Sequence, residues 1–244
     1  MKTAAKYVAG GAALAALGYA AFAGAKWARY GHAPRPKGSD EQDPLLDRFM
    51  PVYDIAERHH IRVAAPGHIT IEAAREMDLN RSRVSRAIFR TREAVLGAAR
   101  ETAEHPRGII AWTQSLGWGV LAEVPGREIV MGAVTQPWQA NVSFTALPPD
   151  EFATFDAPDA VKIVWTLRAD PAGANGSIFR TETRAVATDA AARARFRRYW
   201  SLLSPGIILI RRAALGPLKR EAERRALEAR RRERPAEPAA GMRA

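Results

Sequence analysis

Three carboxylates, Glu123, Glu128 and Asp156, are the residues of this chain best suited to acid or base chemistry, and each falls at a strand end or a turn of the local pattern. A solvated carboxylate is the ordinary finding at such positions. The histidines do not cluster: His59 and His60 are adjacent and point to opposite faces of a strand, while His68 and His105 lie elsewhere. No histidine pair has metal-site spacing, and the absence of cysteine excludes disulfides, thiolate metal centres and thiol nucleophiles. A GxSxG nucleophile turn and a glycine-rich phosphate loop are also missing. The catalytic residues therefore stay unassigned, and neither a metal nor a cofactor is expected. The aromatic residues carry more. Burying one large ring stabilises a fold by about 1.5–3 kcal/mol, so a single tryptophan is accounted for by core packing, but a set around a cleft suits a hydrophobic molecule. Trp118, Trp138, Trp165, Phe179 and Trp200, with Thr181 and Thr183 as small polar groups, are the expected ligand-binding residues.

The elements that must position them follow from periodicity. Residues 188–234 form the longest regular stretch: Asp189 is a plausible N-cap, and Phe196, Tyr199, Trp200, Leu203, Ile207, Ile210, Ala214 and Leu218 recur in steps of three and four. This is a long helix with one apolar stripe, expected to kink or pause at Ser204–Gly206, where Pro205 cannot donate a backbone hydrogen bond. Ahead of it come strand patterns. Residues 54–64 end at Ala65-Pro66-Gly67; residues 117–124 and 128–134 read as a hairpin turning at Pro125-Gly126-Arg127; and 152–155, 160–168 and 177–186 read as further strands. In the last of these Phe179, Thr181, Thr183 and Ala185 share the inward face, and Arg180, Glu182 and Arg184 are expected to face solvent. Small residues on that inward face leave room for a cavity beneath the helix.

The 244 residues, 47% of them hydrophobic, suffice for one domain with tails. The net charge of +11 is concentrated near the C-terminus, among Arg211, Arg212, Lys219, Arg220, Arg224, Arg225, Arg230, Arg231, Arg232 and Arg234. Such an end reads either as a surface for anionic lipid headgroups or nucleic acid, or as a solvated helix face paired internally with Glu221, Glu223, Glu228 and Glu233. At the other end, residues 4–25 carry Lys6 as their only charge and run into Lys26, Trp27, Arg29 and Tyr30. About 20 helical residues cross a hydrocarbon core, so residues 1–30 read as a single membrane-spanning anchor with the following domain on the cytoplasmic side, or as a signal segment cleaved to release a secreted or periplasmic domain. Residues 31–50, with Pro34, Pro36, Gly38 and Pro44, read as a linker, 51–220 as the folded domain and 221–244 as a basic tail.

Two family resemblances are visible. Residues 69–90, ITIEAAREMDLNRSRVSRAIFR, resemble the helix-turn-helix of lactose-repressor-like regulators, which implies that Arg81, Ser82, Arg83, Ser85 and Arg86 would meet DNA. The stretch has one residue fewer before Ala74 than that pattern needs and Asp78 in place of the turn glycine, so nucleic acid is not the expected partner. The order of elements carries the broader likeness. A strand over Glu57–Pro66 with its turn, Pro125-Gly126-Arg127-Glu128 with Gly132 and Trp138, Thr181–Thr183 on the last strand, and Phe196-Arg197-Arg198-Tyr199-Trp200 with Pro205-Gly206 on the final helix resemble the SRPBCC superfamily. That superfamily includes START lipid-transfer domains, Bet v 1 allergens and polyketide cyclases. The resemblance spans roughly residues 53–225 and implies an α+β helix-grip fold, a curved antiparallel sheet around a long C-terminal helix. The function it implies is a binding module for a lipid, isoprenoid or other hydrophobic small molecule. A cyclase-like or hydrolytic enzyme using Glu128 or another carboxylate of the pocket is the first alternative, and a membrane-tethered helix-turn-helix DNA-binding regulator is the second.

Overall fold

Period-two alternation becomes one antiparallel sheet in the computed structural model of the chain, which describes residues 2–78, 88, 97 and 106–233. Its strands are β1 (Ile55–Val63), β2 (Gly119–Val124), β3 (Glu128–Thr135), β4 (Phe144–Thr145), β5 (Val161–Pro171) and β6 (Ser177–Ala187). They lie in the order β1-β6-β5-β3-β2, with β4 beside β3. The helices are α1 (Lys2–Arg29), α2 (Pro44–Asp47), α3 (Gly67–Arg75), α4 (Ile109–Ser115), α5 (Pro149–Thr154) and α6 (Ala190–Glu233). The chain is thus α+β, with a curved antiparallel sheet and a long C-terminal helix in the helix-grip layout. The helix-turn-helix resemblance falls largely outside the described residues, as do its Arg81, Ser82, Arg83, Ser85 and Arg86.

Strand register decides which side chains share a face. His59 lies opposite Thr181, Thr181 opposite Leu167, and Leu167 opposite Ile129; the next row is Glu57, Thr183, Trp165 and Met131. This face receives α6. At one end of it Ile55, Val161 and Ala185 pack with Phe196, Trp200 and Tyr30, and at the other Val63, Leu167 and Phe179 pack with α3, α4, Leu218 and Ala222. Asp189 caps α6 as expected, its carboxylate accepting from the Ala191 and Ala192 amides at 2.7 and 2.8 Å. The helix is not interrupted at Ser204–Gly206: all 44 residues are helical, with Pro205 and Pro217 inside. A Cβ at Gly206 would lie 2.7 Å from Ile88 Cγ2, so the glycine serves close approach rather than a break.

On the opposite face the structure corrects three expectations. The stretch read as a linker is a packed strap: a short 3-10 turn at Ser39–Glu41 and α2 lie on the sheet, and Leu46 and Met50 are buried with Val130, Val164 and Phe152. Glu182 and Arg184 point to the predicted side of β6, but the strap covers them, leaving 5% and 1% exposed. Residues 152–155 are not a strand. Pro149 at the first helical position, followed by Asp150 and Glu151, starts α5 instead, which carries Phe152 into the same core.

The N-terminal run is helical as expected. Its last turn docks on α6, where Arg197 donates to the Trp27 carbonyl at 2.9 and 3.1 Å and lies 4.2 Å from the Trp27 ring centroid. Among the described residues no helix is long and apolar enough to cross a membrane, so the membrane-spanning segment expected here is not supported. Alanine and glycine, which insert weakly, make up most of the run.

Gly132 offers a direct check of how the strap-side core is packed. A Cβ there would lie 2.4 Å from Leu121 Cδ1 and 3.2 Å from the Phe152 ring. Gly132→Ala is expected to lower stability by about 1–3 kcal/mol in denaturant titration, and an unchanged midpoint would contradict this packing.

Candidate functional site

Between the two apolar ends of the helix face lies a polar seam. Along α6 the sheet-facing order is Trp200, Ser204, Ile207, Arg211 and Leu218, with steps that keep these residues near one face. The helix therefore presents a hydroxyl and a guanidinium midway along an otherwise apolar stripe. Opposite them β6 presents Thr183 and Thr181, and β1 presents Glu57 and His59. Arg211 makes one long contact, from Nη1 to Thr181 Oγ1 at 3.5 Å. Glu57 is ion-paired with Lys26 of α1. Thr183 and Ser204 are 6% and 0% exposed, and among the described residues neither hydroxyl has a hydrogen-bond partner; His59 Nε2 is likewise buried without one there. Such groups each cost about 1–3 kcal/mol if left unsatisfied.

The seam is electrostatically uneven. Dehydration pushes the Arg211 pKa down to about 10, opposed by the carboxylate of Glu57. Burial also lowers the pKa of His59, assisted by the Arg211 charge and opposed by Glu57. His59 is therefore held toward its neutral form, able to donate from one ring nitrogen and accept at the other.

The seven expected ligand-binding residues do not converge on one cavity. Trp165 and Phe179 are buried in the cluster with α3, α4 and the second half of α6, and Trp118 packs against it 6.2 Å from Trp165 and 4.9 Å from Phe144. Trp200 and Trp138 belong to the cluster at the other end. Thr181 and Thr183 lie between, in the seam. Sequence reasoning missed Ser204, Arg211 and His59. The apolar period of the last helix could have exposed the first two, since polar residues at sheet-facing positions break the stripe. Arg211 was instead counted with the basic C-terminal residues.

The carboxylates considered for catalysis do not meet. Glu123 is exposed and paired with Arg75, Asp156 is exposed in the loop after α5, and Glu128 is buried beneath the strap, away from α6. Glu128 belongs to a charged network that holds the strap down. Arg168 donates to the Gln42 and Asp40 carbonyls at 2.8 Å each, Arg184 donates to the Met50 carbonyl at 2.8 Å and pairs with Glu182 at 2.7 Å, and Arg58 pairs with Glu182 at 2.6 Å. A pocket of about 30 Å³ in this network, lined in part by Asp43, Arg58, His60, Arg168, Arg180 and Glu182, is far below the roughly 300–1,000 Å³ of ligand sites. Its arginines are already paired, so it is a structural gap.

No protein-family model and no curated protein matches the chain. Solved structures that align with it include the following three. The Mll3558 protein from Rhizobium loti is 14% identical over 64% of this chain and 95% of its own, with a TM-score of 0.26. DR_A0006 from Deinococcus radiodurans is 13% identical over 66% and 98%, with a TM-score of 0.23. The Zhui aromatase/cyclase from Streptomyces sp. R1128 is 14% identical over 70% and 94%, with a TM-score of 0.21. Scores this low carry no argument about a ligand or reaction, and the fold description rests on this chain's own strand order and helix placement.

Burial and the neighbouring Asp43 carboxyl, which also hydrogen-bonds to it, raise the Glu128 pKa from 4.5 to about 8. Between those values the folded state holds a proton that the unfolded chain has released, so stability falls as pH climbs through this window. Glu128→Gln, whose amide can still donate to Asp43, is expected to flatten that slope in melts from pH 5 to pH 9; an identical slope would contradict the shared proton.

Proposed function

We propose that this protein is a binding module for a small hydrophobic molecule, such as a lipid or isoprenoid, held between the sheet and α6 with its polar end in the seam. The observation that carries this reading is the presence of buried polar atoms without partners among the described residues on all three elements bounding the seam: His59 on β1, Thr183 on β6 and Ser204 on α6. Natural folds satisfy nearly all such atoms, and exceptions need a reason. A molecule with a few hydrogen-bonding atoms supplies one. The aromatic clusters on either side, with Trp200 at one end and Trp165 and Phe179 at the other, suit its apolar body. Leu14 and Leu17 of α1, 72% and 67% exposed, and Leu202 and Leu209 of α6 support a lipid surface as its source.

The test uses the full chain, purified without delipidation and examined by native mass spectrometry with solvent extraction. A stoichiometric hydrophobic species is expected, and melts with added lipid mixtures should shift upward. The double variant Thr183→Val, Ser204→Ala removes two unsatisfied hydroxyls at nearly constant volume. It is expected to melt at or above the parent temperature when empty and to lose the ligand-induced shift. An empty parent protein with no shift in any mixture would overturn the proposal.

A further inference from the structure

Building on that binding reading, we infer that the molecule held in the seam is an anion, a carboxylate or a similarly charged head, and that Arg211 is the residue that receives it. The arginines of the sheet show how this chain treats a dehydrated guanidinium. Arg58, Arg168 and Arg184 each have a carboxylate partner, at 2.6, 2.9 and 2.7 Å, and at least one carbonyl acceptor besides. Arg211 has neither. Its contact to Thr181 at 3.5 Å is at the limit of a hydrogen bond, and among the described residues it makes no ion pair. Arg211 is half-buried, so water reaches part of it, but the five N–H donors of its guanidinium outnumber the acceptors it meets among the described residues.

The nearest negative charge does not supply the missing partner. Glu57 acts on Arg211 at longer range, but its carboxylate is engaged by Lys26. With Glu57 taken by Lys26, Arg211 is left beside Thr181 without a countercharge in contact among the described residues. An incoming carboxylate supplies that countercharge and takes two parallel N–H bonds from Arg211. Thr181 lies beside that fork, and His59, opposite Thr181 in the register, is placed to donate to the same head. Ser204 and Thr183, without partners among the described residues, lie toward Trp200 and suit a hydroxyl or carbonyl further along the molecule.

The experiment compares straight-chain carboxylates of eight to sixteen carbons with the alcohols of equal length, using calorimetry on the full chain at pH 7. Carboxylates are expected to bind roughly tenfold or more tightly than the matched alcohols, the gain of a charge-assisted pair. Arg211→Met should abolish the preference of acid over alcohol, and Arg211→Lys should restore part of it, since a point charge cannot form the fork. Melts of both variants report that they fold. Equal binding of acid and alcohol, unaltered in Arg211→Met, would overturn the anion inference and leave the binding reading standing. Failure of both series and of the lipid mixtures overturns both.

Discussion

A helix of 44 residues that lies along a sheet must bury one stripe, and the rest of this structure depends on how that stripe is composed. Its ends are apolar, set by Phe196 and Trp200 on one side and Leu218, Ala222 and Ala226 on the other. Its middle is not: Ser204 and Arg211 take positions where leucine would contribute about 1.5–3 kcal/mol by burial. The strands answer with Thr183, Thr181, His59 and Glu57, and the one carboxylate among them is paired with Lys26. Stability is secured at the two ends, and the centre is left polar and incompletely paired. A chain that needed only to fold would gain by closing this seam with aliphatic side chains.

The opposite face treats polarity differently. There Arg58, Arg168, Arg180 and Arg184 are held by Asp40, Asp170, Glu182 and the carbonyls of residues 34–50. Buried pairs of this kind add little net stability, because dehydration offsets the attraction, but removal of one partner costs about 3–5 kcal/mol. Their effect is to fix the strap in one register over β5 and β6. The Asp43 and Glu128 carboxyls, pressed together beneath it, share the network at the expense of one bound proton. The same residue types thus close one face of the sheet and leave the centre of the other incompletely paired among the described residues.

Much of this was legible in the sequence. The alternation of β5 and β6 placed Trp165, Phe179, Thr181 and Thr183 on the helix side, and Asp189 marked the start of α6 correctly. What failed was whatever depends on partners distant in the chain. The strap reads as a linker because Pro34, Pro36, Gly38 and Pro44 are turn formers, and Arg168, Arg180 and Arg184, which anchor it, lie more than a hundred residues away. Arg184 looked solvent-facing because parity gives the face of a strand and not what covers that face. Phe152 looked like strand because an aromatic among short residues outweighed the Pro149-Asp150-Glu151 helix start. The aromatic set was found, but its division between two clusters follows from sheet register, which the individual strand patterns do not contain. Arg211 was hidden by its basic neighbours, although it faces Thr181 of the sheet.

The central claim, that the seam is a receptive site and not merely a poorly satisfied stretch of core, is most directly tested by a high-resolution crystal structure of the full chain purified without lipid removal. The account predicts density for an organic molecule in hydrogen-bond contact with Thr183, Ser204 or His59 and a charged end at Arg211. A seam in which ordered waters alone satisfy all four groups, with α6 closed against β1 and β6, would contradict it.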